Sequence, residues 1–189
     1  MNPRKIGGHR RNLREQKCED RLPGGVRYNA GSFERIIWVG WCAVRLEPLY
    51  HVRVTFTRIW GAGLAGEDSP EGQFFGIGDG RCEGRISGRF RGANHPYRRG
   101  DGTFLPDLQG VIETDDGAEV LFDYRGYGRA YPEGRRQIVA SGTHVSDDER
   151  YRWLNDSLSV GNGEVRPQED GSTEVIIEWS ELVWEPIAE

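Results

Sequence analysis

The sequence predicts an all-β chain: a single antiparallel β-barrel of about eight strands, calycin-like, with one short helix. Three observations carry this reading. Glycine supplies 27 of 189 residues, about twice average usage, so turns should be frequent and long helices rare. The apolar runs are short, and several alternate with polar residues at the period of two that marks a half-buried strand. Asp116-Gly117 lies between two apolar-rich runs, and an Asp-Gly pair in that setting is the strongest short hairpin signal. Only 36% of the residues are apolar, but six Trp, seven Tyr and seven Phe supply material for a core.

Residues 1–30 have little periodicity and carry Gly7-Gly8 and Pro23-Gly24-Gly25. They are expected to form a flexible basic leader ahead of a barrel domain at 31–189. A first strand is expected at Glu34–Trp41. In Leu49–Trp60, Tyr50, Val52, Val54, Phe56 and Trp60 share one face, while His51, Arg53, Thr55 and Thr57 share the other. Gly61–Gly72 reads as a Gly-rich loop. The glycines around Gly76-Ile77-Gly78-Asp79-Gly80 are not followed by a helical pattern or a GK[ST] triplet, so nucleotide-loop readings are rejected. In the strand that follows, Arg85, Ser87, Arg89 and Arg91 share a face. That face lies outside in water, or, if turned inward, forms an anion site.

Ala93–Leu105 and Gly126–Gly134 read as loops, and a strand is expected near Arg136–Val145. Ser146 followed by Glu149 resembles a capping box, which predicts a short helix over Asp147–Asn155. Leu158–Arg166 and Thr173–Trp184 complete the strands, with a turn at Asp170-Gly171. Several strands mix polar and apolar residues on both faces. This favours a barrel with a small lumen over a sandwich.

A two-residue Asp116-Gly117 turn would place Asp115 opposite Ala118. Glu113 would then face Val120, Val111 would face Phe122, and Gln109 would face Tyr124, all on one mostly apolar side. A solvated place at the rim is the plain reading of Glu113. The functional reading puts it in an apolar lumen, where desolvation raises a carboxylate's pKa towards working pH.

Residues 1–27 hold eight basic side chains against three acidic ones, which leaves an acidic body of 17 basic and 27 acidic residues. That body argues against nucleic acid as the main partner, because phosphate binding needs a basic surface. No apolar run approaches the ~20 residues of a helical membrane span, and no secretory signal pattern opens the chain. Cys18, Cys42 and Cys82 form no CxxC pair, which fits a reducing, cytoplasmic setting.

Leu46-Glu-Pro-Leu-Tyr50, the run GRISGRFRG, Glu113-Thr-Asp-Asp-Gly117, and Tyr151-Arg-Trp-Leu-Asn155 followed by Gly161-Asn-Gly163 occur in an order that resembles the domain of unknown function 3237 family. The likeness covers about residues 44–184. It implies a compact antiparallel β-barrel and no settled common activity, so no catalytic residue is carried over. Ala93-Asn-His-Pro-Tyr97 departs from the family's usual Pro-Gly-Gly-like turn and Asp-Trp pair.

The chain lacks HExxH, GxSxG and a cupin-like HxH pair, and its four His are isolated in sequence. No metal and no cofactor are therefore expected. The expected function is small-molecule binding in the lumen, with cofactor-independent acid–base catalysis of an isomerase, lyase or cyclase type on an apolar or aromatic metabolite. Glu113 is the candidate base, with His144 as the second choice, and Tyr124 is a donor towards developing negative charge. Gln109, Phe122, Trp179 and Arg89 are candidate ligand contacts. A non-catalytic lipocalin-like binder and a filled structural barrel are the alternatives, and a homo-oligomer stays open.

Overall fold

The computed structural model describes residues 36–39, 42–64, 70–131 and 134–186, with side chains from 44 onward. The predicted leader and its boundary at residue 30 lie outside them. The strands are β1 (Ile36–Val39), β2 (Cys42–Gly63), β3 (Gly72–Gly84), β4 (Gly88–Asn94), β5 (Tyr97–Arg98), β6 (Phe104–Leu105), β7 (Asp107–Thr114), β8 (Glu119–Tyr131), β9 (Arg135–Val145), β10 (Leu158–Pro167) and β11 (Thr173–Val183). All pairings are antiparallel. Eight strands close on themselves in the order β2-β3-β4-β7-β8-β9-β10-β11 and back to β2. β1 pairs with the start of β2, and the short β5 and β6 bridge β3 to β8.

The inner face of this ring follows the alternation in the sequence. Val52, Val54, Phe90, Ile112, Val120, Phe122, Ile138 and Ile177 are all buried, and their chain neighbours point out. Glycines on the inner face of β3 make room for this packing: a Cβ on Gly78 would lie 2.5 Å from Val54 Cγ1 and 3.0 Å from the Phe56 ring. The GxGxG stretch thus serves close packing.

Two irregularities in β2 set its facing. The register with β11 slips at Trp179/Ser180, so both Leu49 and Tyr50 are buried. The register with β3 slips between Phe56 and Arg58. That bulge adds one residue and reverses the alternation beyond it. Trp60, expected on the inner face with Phe56, is therefore outside and packs on Phe75 beneath Arg58, while Ile59, itself 48% exposed, sits opposite Gly76 at the open end of the ring.

The central hairpin has a loop one residue longer than expected. Thr114 N–H donates to Ala118 O at 2.9 Å and Gly117 N–H to Thr114 O at 3.0 Å, with Gly117 at φ +86°. This is the three-residue loop with a left-handed glycine, fastened by Thr114 Oγ1, which accepts from Ala118 N–H at 2.8 Å. The register becomes Glu113 with Glu119, Ile112 with Val120, and Leu108 with Tyr124. A one-residue slip sends a side chain to the opposite face. Ile112 and Leu108 line the interior, and Glu113 and Gln109 do not.

Other expectations change as well. Gly126–Gly134, read as a loop, is mostly strand, because β8 runs to Tyr131 and β9 starts at Arg135. Ala93–Leu105 contains β5 and β6. The expected helix over Asp147–Asn155 is a 3-10 turn at Arg152–Asp156. Ser146 does not cap a helix, because its hydroxyl donates to Glu119 O at 2.7 Å. Asn155 holds the Ser146 backbone from both sides, at 2.8 and 3.1 Å.

Candidate functional site

The structure divides the residues singled out in the sequence. Glu113, the expected base, is on the outer wall, where it forms an ion pair with Arg91. Gln109 is exposed on the same face, beyond Val111. Arg89 is also outside, with its Nε donating to Asp79 Oδ2 at 3.0 Å. The arginine stripe thus belongs to a solvated wall of exposed pairs, each worth about 0–1 kcal/mol.

Phe122, Tyr124, His144 and Trp179, in contrast, meet in the middle of the ring. Phe122 stacks on His144 at 4.7 Å and meets Trp179 edge-on at 5.1 Å, and Tyr124 lies 5.5 Å from Trp179. Tyr50 joins them through a 2.9 Å hydrogen bond between its hydroxyl and His144 Nε2. All five are at most 4% exposed. Burial pushes the His144 pKa down to about 4, so the ring is neutral at pH 7. Burial also raises the Tyr50 and Tyr124 hydroxyls above the ordinary phenol range and lifts the Cys82 thiol to about 12. The cluster fills the space that the sequence reading left as a lumen. It offers neither a charged base nor a thiolate.

The open space lies at one end of the ring, in a cavity of about 220 Å³. Successive strands supply its wall: Phe56 and Ile59 from β2, Phe74 from β3, Phe104 from β6, Val165 from β10 and Val175 from β11. Pro96, Pro106 and Pro167 stand among them and present no backbone N–H. Asn94 and Thr173 are polar, and Arg136 is the charged residue of the lining. Grooves on the outer wall are larger, at about 340–620 Å³, but exposed polar side chains line much of them.

Arg136 is the residue that sequence reasoning missed. It is half-buried, with its guanidinium carbon 3.7 Å from the centre of the Phe104 ring. Gly128 lies beside its stem, and a Cβ there would come within 3.2 Å of Arg136 Cδ. Among the described residues no carboxylate pairs with it. Desolvation lowers its pKa, and the nearby positive charge of Arg98 adds to that. Arg98 is itself 5.7 Å from the Phe104 ring and donates from Nε to Pro70 O. The signal for Arg136 was its phase: it alternates with Ile138, Ala140 and His144, the inner residues of β9.

The other end of the ring is closed by the stretches that carried the family resemblance. Tyr151 OH donates to Asp116 at 3.1 Å, and Arg150 pairs with Asp116 at 2.9 Å. Arg85 lies 4.2 Å over the Trp153 ring, and Leu154 is fully buried. The TDDG turn and the Tyr151–Asn155 segment are therefore two parts of one lid. Among the described residues no group of three or more His, Cys, Asp or Glu could hold a metal ion. None of the described helices is long and apolar enough to cross a membrane.

A family profile described as "Protein of unknown function (DUF3237)" matches residues 44–182. No curated protein matches the chain. Among solved structures, a "beta-barrel like protein" from Acinetobacter baumannii AYE is similar at 22% identity and a TM-score of 0.64, covering 74% of this chain and 96% of its own. A conserved protein of unknown function from Rhodopseudomonas palustris is similar at 19% identity and a TM-score of 0.62, covering 74% and 98%. A structure described as an enzyme from Penicillium herquei is similar at 19% identity and a TM-score of 0.53, covering 78% and 100%.

Proposed function

The chain belongs to the DUF3237 family, whose description assigns no activity, and we propose that it is a calycin-like barrel that binds a small apolar or aromatic metabolite at the open end of its ring. The observation that carries this reading is the cavity itself, a largely apolar space with Asn94, Thr173 and Arg136 in its lining. An apolar pocket with a few placed polar groups is the usual build of a small-molecule site. A cavity of about 150 Å³ suffices for benzene, so about 220 Å³ suits a single substituted ring. The test is a titration of methyl-labelled protein with small arenes. Methyl resonances of Ile59, Ile138, Val165 and Val175 should shift while that of exposed Leu121 stays still. Shifts confined to outer-wall methyls, or none at all, refute the assignment.

A catalytic form of this reading is favoured by the Penicillium herquei structure described as an enzyme. With Glu113 outside and His144 enclosed, the contribution available at the cavity is electrostatic: Arg136 stabilising negative charge that develops on a substrate oxygen. Enolisable aryl ketones incubated in D2O should then exchange their α-hydrogens faster with the wild type than with Arg136→Met. Exchange at the buffer rate refutes the catalytic form and leaves the binding form in place.

A further inference from the structure

We infer that the ligand is an acid: a small aryl or similarly apolar carboxylate whose anionic group is held by Arg136. This rests on the binding reading above and adds the chemical class of the ligand.

A guanidinium that loses part of its hydration needs compensation, and a half-buried charge without a counter-ion is costly. On the outer wall the arginines have that compensation: Arg81 pairs with Asp115, Arg85 with Glu181, Arg89 with Asp79, Arg91 with Glu113 and Arg150 with Asp148. Arg136 has the face of Phe104 instead, together with a like charge, Arg98, close enough to disfavour its own. Among the described residues no carboxylate stands in the cavity lining. An anion entering the cavity would meet a donor fork with its hydrogens still to give and would relieve the repulsion between the two guanidinium groups. The apolar lining would take the rest of the molecule.

The geometry also selects the kind of anion. Arg98 does not line the cavity and already donates to Pro70 O, which leaves one planar fork facing the ligand. A planar fork matches the two oxygens of a carboxylate. A phosphate dianion would call for more donors than this wall presents.

Salicylate and salicylamide at pH 6.5 form a suitable probe pair, because they share shape and fluorescence and differ in charge. Wild-type protein should bind salicylate at least about tenfold more tightly than salicylamide, the scale of one charge-assisted contact in a partly dry site. Arg136→Met should remove the discrimination and keep salicylamide affinity, and Arg136→Lys should restore part of it. Equal discrimination in wild type and Arg136→Met overturns the inference, as does tighter binding of phenyl phosphate than of salicylate. Thermal melting of each variant reports folding. If Arg136→Met does not fold, Arg136→Gln, which removes the charge and keeps a polar side chain, takes its place with the same expectation. If wild-type protein binds neither probe, the binding reading itself fails. Salicylamide binding without preference for salicylate defeats only the acid.

Discussion

Acidification should destabilise this protein through His144, well above the pH at which its surface ion pairs are lost. In the folded chain the imidazole is 1% exposed, bonded to Tyr50 and stacked on Phe122, with its pKa pushed down to about 4. In the unfolded chain it returns to 6.5. Below pH 6.5 the unfolded state takes up a proton that the folded state refuses, so stability falls as pH falls. The lost stability is about 2 kcal/mol at pH 5 and about 3 kcal/mol near pH 4, taking about 1.4 kcal/mol per pH unit between the two pKa values. The assay is denaturant unfolding at pH 7.5, 6, 5 and 4.5, on wild type and His144→Phe. The variant loses the Tyr50 hydrogen bond at every pH, which lowers its curve uniformly. Only the slope matters, and it should be flatter by the amounts given. Carboxylates with lowered pKa, such as Asp148 at about 2, contribute at lower pH and equally in both proteins. Parallel curves, or an imidazole NMR titration of the folded protein with a midpoint near 6.5, would refute the reasoning.

Gly117→Val should cost about 1–3 kcal/mol, because φ is +86° and no atom lies near the added Cβ, so the penalty is backbone strain alone. Thermal unfolding checks it, and an unchanged melting temperature contradicts the loop geometry. Glu113→Gln should change stability by less than about 1 kcal/mol and leave ligand affinity untouched, as read by melting and by salicylate titration. Ile112→Ala, at a fully buried site, should cost about 2–5 kcal/mol in denaturant unfolding.

The fold was legible where periodicity is long and unbroken. Tyr50–Phe56 alternates through four inward residues, and the structure buries each of them. Periodicity cannot count an inserted residue. The extra residue between Phe56 and Arg58 turned Trp60 outward, and one further residue in the 115–117 loop turned Glu113 outward, for the same physical reason. The Asp-Gly signal is degenerate: a left-handed glycine serves both a two-residue and a three-residue loop, and the choice here falls to the Thr114 hydroxyl. Phe122, Tyr124, His144 and Trp179 are four of the seven side chains singled out in the sequence, and the structure brings them together, but whether a cluster of rings surrounds space or fills it depends on volumes summed over eight strands. Arg136 was readable from its phase with Ile138 and Ala140. It was passed over because a basic residue near a strand end is ordinarily assigned to solvent.

The bulge in β2 has a further consequence for how this cavity could change. Thr57 is the unpaired residue of the bulge: Phe56 stands opposite Gly78 and Arg58 opposite Ile77, so its deletion would leave Ile59 and Trp60 on their present faces and remove only the local bend. Ironing the bulge out with Thr57 kept would instead shift every later pair by one and exchange the two faces. An indole would then stand where a sec-butyl group now lines the wall, and it would fill much of about 220 Å³. Capacity at the open end is therefore set by where the strand stores one unpaired residue as much as by side-chain identity. Two chains of this architecture with the same wall residues could differ in whether they admit a ligand at all, by the pairing of a residue that is itself no part of the wall.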